Sequence, residues 1–237
     1  MKPVPVATAR VREWLRETAS PAHAKVLAGF FKTGPGEYGE GDRFLGLRVP
    51  AIRRVVPRAD GLPKAGIISL LKSAFHEERV LGFLILVRRF ERAAPEDRKR
   101  WFDLYMSHRE CVNNWDLVDL TAPRILGAWL LDRPRDVLDT LVVSPNVWER
   151  RMAVLATFTF LRHGEYDDLI RLATRLLDDP HDLMHKACGW MLREAGKRNL
   201  GVLIGFLERH CTNMPRTMLR YAIEKLPERE RKAWLAR

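Results

Sequence analysis

The chain has 237 residues, 46% of them hydrophobic and 30% charged, which supplies a folded core and excludes a disordered chain. Lysine and arginine outnumber aspartate and glutamate 41 to 30, a net charge of +11 with a pI near 10, so a polyanionic partner is expected. The longest apolar run, Val80 to Val87, is closed by Arg88 and Arg89 and is far too short to span a bilayer, so no membrane role is expected.

The opening Met1-Lys2-Pro3-Val4-Pro5 lacks the apolar stretch of a secretory signal and predicts a cytoplasmic protein. Apolar residues then recur at three- and four-residue steps in Leu70, Leu71 and Ala74, in Val80, Leu81, Leu84 and Val87, in Trp101, Phe102 and Tyr105, and in Leu169, Leu172 and Leu176. That spacing predicts helices. Gly34-Pro35-Gly36, Gly61-Leu62-Pro63 and the prolines at 95, 134, 145, 180, 215 and 227 fall between segments, several where a helix starts. Pro123 lies inside the helix that begins near Trp115 and predicts a kink there. No segment alternates with period two for long, so the fold class is all-α.

His76-Glu77-Glu78-Arg79-Val80-Leu81 resembles Trp148-Glu149-Arg150-Arg151-Met152-Ala153, with Arg79 and Arg151 72 positions apart. Half that interval lands on Trp115, and a further step lands near Lys186. A period of roughly 35–40 residues predicts a HEAT-like helical-repeat solenoid, one domain over 1–237 with a concave basic groove. Three segments carry the residues suited to that groove: 112–119, 147–153 and 186–193. Trp115 and Asp119 share one helix face, and Lys186, Trp190, Arg193 and Lys197 share another. Indole faces attract cations, and a guanidinium forks onto phosphate. Asp116 reads as a helix-start acid that complements the macrodipole and faces away from Trp115 and Asp119. Trp14, Trp101, Trp129 and Trp148 read as packing residues.

Cys111, Cys188 and Cys211 are an odd set without C-x-x-C spacing, which argues against a disulfide framework or a cysteine-rich zinc site. His181 and His185 are four apart, but no H-E-x-x-H accompanies them, and Asp179-Pro180 before them reads as a solvated turn at a helix start. Neither metal nor cofactor is expected.

Four ordered motifs carry a resemblance: Phe44-Leu45-Gly46-Leu47-Arg48-Val49-Pro50-Ala51-Ile52-Arg53-Arg54, Asn114-Trp115-Asp116-Leu117-Val118-Asp119, Trp148-Glu149-Arg150-Arg151, and Lys186-Ala187-Cys188-Gly189-Trp190-Met191-Leu192-Arg193-Glu194. Over about residues 20 to 235 the chain resembles the AlkD-like DNA glycosylases, HEAT-like-repeat proteins that remove alkylated purines. The resemblance implies that Asp119 is the catalytic carboxylate, that Trp115 and Trp190 embrace the deoxyribose of the lesion, and that Arg151 engages the backbone. Tyr38 would match a tyrosine lining the same cleft. Arg48, Arg53, Arg54, Arg79, Arg150, Lys186, Arg193 and Lys197 are the further expected DNA contacts. Where the family has polar residues after the Phe-Leu-Gly turn, this chain has Arg48 and Val49.

The implied activity is monofunctional hydrolysis of the N-glycosidic bond of cationic N3- or N7-alkylated purines in double-stranded DNA. The implied enzyme is a monomer without cofactor, associated with the nucleoid when bound to DNA, and it need not flip the base. No second aromatic-walled base pocket is evident in the sequence. The alternative is a non-catalytic HEAT-like module that binds nucleic acid through the same groove; a protein-binding helical scaffold ranks third.

Overall fold

A computed structural model describes residues 5–237, so Met1 to Val4, read above for a leader, lie outside the described residues. The chain divides into two compact units, one ending at Thr121 and the other beginning at Ala122. Among the described residues both are helical, with no strand and one isolated parallel bridge between Arg43 and Phe75. No described helix is long and apolar enough to cross a membrane.

The first unit comprises α1 (Thr8–Arg16), α2 (Pro21–Phe30), α3 (Val49–Val55), α4 (Lys64–Leu71), α5 (His76–Arg92), α6 (Arg98–Met106) and α7 (Trp115–Thr121). Its axis is α5, buried without a break from His76 to Val87 and packed by α3, α4, α6 and α7. A helix that is apolar all round has no solvent face to offer and becomes the centre of a core. The four polar residues opening α5 are buried too, and each is compensated, as buried charge must be. Glu78 accepts from Arg12 at 2.7 Å, Arg16 at 2.6 Å and Ser73 at 2.9 Å, which ties α1 to α5.

Glu77 accepts the backbone N–H groups of Leu45, Gly46 and Leu47 at 2.9, 2.8 and 3.0 Å. Gly46 within that turn has φ +88°, and a Cβ there would stand 2.0 Å from the Ser20 carbonyl oxygen, so only glycine fits. The stripe expected to run from Leu70 to Ala74 stops earlier. Helix α4 ends at Leu71 because the chain beyond it pairs with Arg43, whose N–H reaches Ala74 O at 3.2 Å and whose carbonyl accepts from His76 at 2.8 Å.

The second unit runs through α8 (Ala128–Leu130), α9 (Asp136–Val142), α10 (Val147–Arg162), α11 (Asp167–Arg175), α12 (Asp182–Gly196), α13 (Leu200–His210), α14 (Arg216–Ala222) and α15 (Glu228–Leu235). It opens on a π-helical turn, Pro123–Gly127, in which Gly127 N–H bonds Ala122 O at 2.8 Å. The kink expected at Pro123 takes this form because proline has no N–H for the carbonyl four residues back. Helices α10, α12 and α14 pack in sequence. Gly127 and Gly189 permit the close approaches: a Cβ would stand 2.3 Å from Ala156 O at the first and 2.5 Å from Met218 O at the second.

The internal repeat has a local structural basis. Ser73 Oγ accepts from Phe75 N–H at 3.1 Å while its carbonyl accepts from Arg79 at 2.7 Å. Ser144 Oγ accepts from Asn146 N–H at 3.1 Å while its carbonyl accepts from Arg150 at 2.9 Å. Asp179 repeats the pattern with His181 N–H and His185 Nε2. The same helix-start device thus recurs at 73, 144 and 179, consistent with a spacing near 35. It aligns Arg79 with Arg150, which corrects the register that paired Arg79 with Arg151. The two histidines, for their part, are occupied in building the start of α12. Of the tryptophans read as packing, Trp148 is buried, and Trp14, Trp101 and Trp129 are half-buried beside Arg58, Arg100 and Arg133.

Candidate active site

Helix α7 begins where Asn114, fully buried, accepts the Trp115 N–H on its side-chain oxygen at 2.9 Å. Asp116 Oδ1 accepts from Leu117 N–H at 2.8 Å, which fixes the first turn. One turn of helix then separates Trp115 from Asp119, and both line a pocket of about 430 Å³ within the first unit. The indole of Trp115 stacks on Phe31 with centroids 5.2 Å apart and an interplanar angle of 15°, and meets Phe30 edge-on at 5.8 Å. Phe31 stacks in turn on Phe44 at 5.2 Å. Leu27, Leu47, Pro50 and Leu120 complete the apolar wall. The rings that join Trp115 in this wall come from 30, 31 and 44, which no local motif connects to it.

Behind the rings stands a charge network that the sequence reading missed. The His76 ring, 2% exposed, has Nε2 2.8 Å from Asp116 Oδ2 and Nδ1 3.3 Å from Asp42 Oδ2. Burial alone would depress the imidazole pKa, but the charge and hydrogen bond of Asp116, together with the Asp42 hydrogen bond, outweigh it and raise the pKa to about 9. His76 is therefore an imidazolium at neutral pH. Burial likewise penalises the Asp42 carboxylate, but His76, the Arg79 charge at 2.7 Å and the Asn113 amide at 2.9 Å hold its pKa below the usual carboxylate value. The imidazolium also lies against Phe31 and Phe44, with centroids at 4.8 and 5.0 Å. Asp116 does not face away from Trp115 and Asp119 as expected. It lines the same pocket.

The expected DNA contacts divide by environment. Arg48 is exposed, is the N-cap residue of α3 and lines the pocket. Arg53 and Arg54 are exposed in the last turn of α3. Tyr38 is half-buried in the loop before Gly39 and does not line the pocket. Arg79 is 5% exposed and bound to Asp42 and Ser73 O, so its position is that of an internal counter-charge.

In the second unit, Arg151 is also 5% exposed and donates to Leu183 O at 2.8 Å, joining α10 to the start of α12. Arg150 is held by Asp179 at 2.6 Å and by Ser144 O. Trp190 is half-buried, with its ring 6.3 Å from Phe158 across the same pair of helices. Lys186 pairs with Asp182 at 2.7 Å, Arg193 with Glu224, and Lys197 with Glu194 at 2.6 Å. Among the described residues no group of three or more histidine, cysteine, aspartate or glutamate side chains is arranged to hold a metal ion. Cys188 is fully buried, which pushes its thiol pKa up to about 12.

No curated protein matches the chain. One solved structure, a predicted DNA alkylation repair enzyme from Enterococcus faecalis, superimposes with a TM-score of 0.68 over 89% of this chain and 97% of that one. At 16% identity this likeness shows the shared fold alone. The sequence model of the DNA alkylation repair enzyme family matches residues 11–226, nearly the whole length, and the chain therefore belongs to the DNA alkylation repair enzyme family.

Proposed function

We propose that the protein is a monofunctional DNA glycosylase that hydrolyses the N-glycosidic bond of cationic N3- or N7-alkylated purines in duplex DNA. The observation that carries the reading is the placement of Trp115 and Asp119, one helical turn apart, on the wall of a single aromatic pocket in a chain of this family.

An alkylated purinium is already a good leaving group, so the base needs no protonation. As the bond from C1′ breaks, its electron pair passes to the purine nitrogen and cancels the positive charge on the base. Positive charge develops on the deoxyribose, where the Asp119 carboxylate stabilises it and orients a water molecule. The water oxygen bonds to C1′, and its proton passes through the carboxylate to solvent. Trp115 presents its indole face to the cationic nucleotide, an interaction of about 0.5–2 kcal/mol. Arg48, Arg53 and Arg54, exposed on or beside α3, are the phosphate contacts that the geometry supports best. Trp190 and Arg151 are assigned to the sugar and backbone by resemblance, and each is to be tested by its own substitution.

The test is release of free base from duplex DNA carrying a single 7-methylguanine, by the wild type and by Asp119→Asn. Loss of the carboxylate should slow excision by roughly two powers of ten or more with DNA affinity retained. Salt-sensitive DNA binding without release by the wild type would replace the enzyme with a binding module. Unimpaired release by the variant would move the catalytic role away from Asp119.

A further inference from the structure

Helix α5 carries a second cavity at its far end. Asp60, Arg88, Arg89, Arg92, Arg100 and Trp101 line a space of about 400 Å³, within the range of sites that hold small ligands. Arg88, Arg89 and Arg92 stand twelve residues after His76, Glu77 and Val80, which line the aromatic pocket. That interval is about 18 Å of helix and about a third of a turn, so the two sets leave α5 in different directions.

Four guanidiniums share this lining with one carboxylate. Asp60 accepts a forked pair from Arg88 at 2.7 and 2.9 Å and a third bond from Arg92 at 2.9 Å. The Arg88 hydrogen bond, which burial opposes, holds the Asp60 pKa below the ordinary carboxylate value. Asp60 is therefore ionised, yet it cancels one charge only. Arg89 donates to the carbonyls of Asp60 and Leu62, and its buried Nε finds no acceptor among the described residues. Arg100 meets Asp97 at 3.6 Å, an exposed contact worth little.

Tethering α5 to the turn at Asp60 needs Arg88 alone and leaves the other three cations as surplus like charge. Helix α6 adds to it by opening on Arg98, Lys99 and Arg100 with no acid in its first turn, where cations oppose the macrodipole. An anion seated among these groups relieves both.

Trp101 selects among anions. Arg100 stands 5.0 Å from its ring centroid and Arg89 5.9 Å, and the half-buried indole keeps surface for a planar guest. A phosphate with a heterocycle one sugar away matches guanidiniums beside an indole, whereas a carboxylate side chain would leave the ring uncovered. Inside a duplex the base faces are covered by their neighbours, so an unpaired nucleotide fits best.

We propose that this cavity is a second nucleic-acid site, which binds a nucleotide of a single strand with its phosphate on Arg89, Arg92 and Arg100 and its base against Trp101. No bond is made or broken there, and the site stands whether or not the protein is a glycosylase.

The experiment titrates a short fluorescein-labelled single strand of deoxyadenylate with the full chain and reads anisotropy. Arg92→Gln should weaken binding about tenfold and reduce the slope of log K against log salt by about 0.7. Trp101→Leu, which keeps an apolar side chain on α6, should weaken it about five- to hundredfold. An abasic strand of the same length should bind the wild type and Trp101→Leu equally, because it keeps the phosphates and lacks the base.

Unchanged affinity in both variants would overturn the site, as would equal losses of the abasic and adenylate strands in Trp101→Leu. Oligoglutamate that binds as tightly as the strand, with the same sensitivity to Arg92→Gln, would make it an acidic-peptide site instead. A loss in Arg54→Gln with none in Arg92→Gln would place the strand on α3 and also overturn it. Thermal unfolding checks the fold of each variant. Should Trp101→Leu fail to fold, Arg100→Gln, at an exposed position, should lower affinity and salt slope as Arg92→Gln does; no change in it would count against the site.

Discussion

The His76 imidazole holds Asp116 at 2.8 Å, and the carboxylate so held lines the same pocket as Asp119, three residues further along the helix. Two carboxylates of one short helix are thereby given different tasks. Asp116 is spent neutralising a buried cation and closing a helix turn, whereas Asp119 lies one turn on from Trp115 on the pocket wall. The arrangement gives stability a pH signature. The folded pKa of His76, about 9, is above its ordinary 6.5, so its contribution is fully present below pH 6.5 and is lost as pH rises through 9. Urea denaturation between pH 6 and pH 10 should show that decline, and His76→Gln should flatten it. An unchanged slope in the variant would show that the imidazole is not charged in the folded protein.

The turn at Leu45–Leu47 should be among the least substitutable parts of the first unit. Gly46→Ala combines a left-handed backbone with a Cβ 2.0 Å from Ser20 O, and Glu77→Ala strands three N–H donors, two of them buried. Each should cost about 2–5 kcal/mol in denaturant unfolding. A loss within about 0.5 kcal/mol would mean that the turn can rearrange freely.

Basic residues of equal formal charge should behave differently. Arg54→Gln, at an exposed position, should weaken binding to any duplex and reduce the slope of log K against log salt by about one, with folding stability kept. Arg79→Gln and Arg150→Gln remove the internal partners of Asp42 and Asp179, so thermal unfolding should register them first. A large salt-slope change in either of these two variants, without loss of stability, would return those arginines to the DNA surface.

Trp115→Ala should reduce excision of 7-methylguanine by a few- to thirtyfold, the equivalent of about 0.5–2 kcal/mol of cation–π attraction. Asp119→Asn should be the more damaging change. Single-turnover kinetics on one duplex would rank the two, and the reverse order would make the indole the principal stabilising group.

The helical class, the helix-start prolines, the repeat near 35 residues and the shared face of Trp115 and Asp119 were legible in the chain, because each depends on spacing within one helix or one turn. The membership suggested by the four ordered motifs was legible for the same reason, since each motif is a continuous string of residues. What the tertiary structure alone decided is which charges are internal and which rings meet. Arg79 looks like Arg54 in sequence, yet a carboxylate from the loop at Asp42 makes the first a buried counter-ion while the second stays exposed. Helix spacing alone turns Asp116 away from Trp115 and Asp119, yet it bonds His76, forty positions earlier, and lines their pocket. Phe30 and Phe31, Phe44, and Trp115 lie on three separate segments, and only the packing of α2, α5 and α7 around the turn held by Glu77 gathers them into one wall. Local periodicity fixes where a side chain leaves its helix, but burial, partner and pKa depend on contacts distant in sequence.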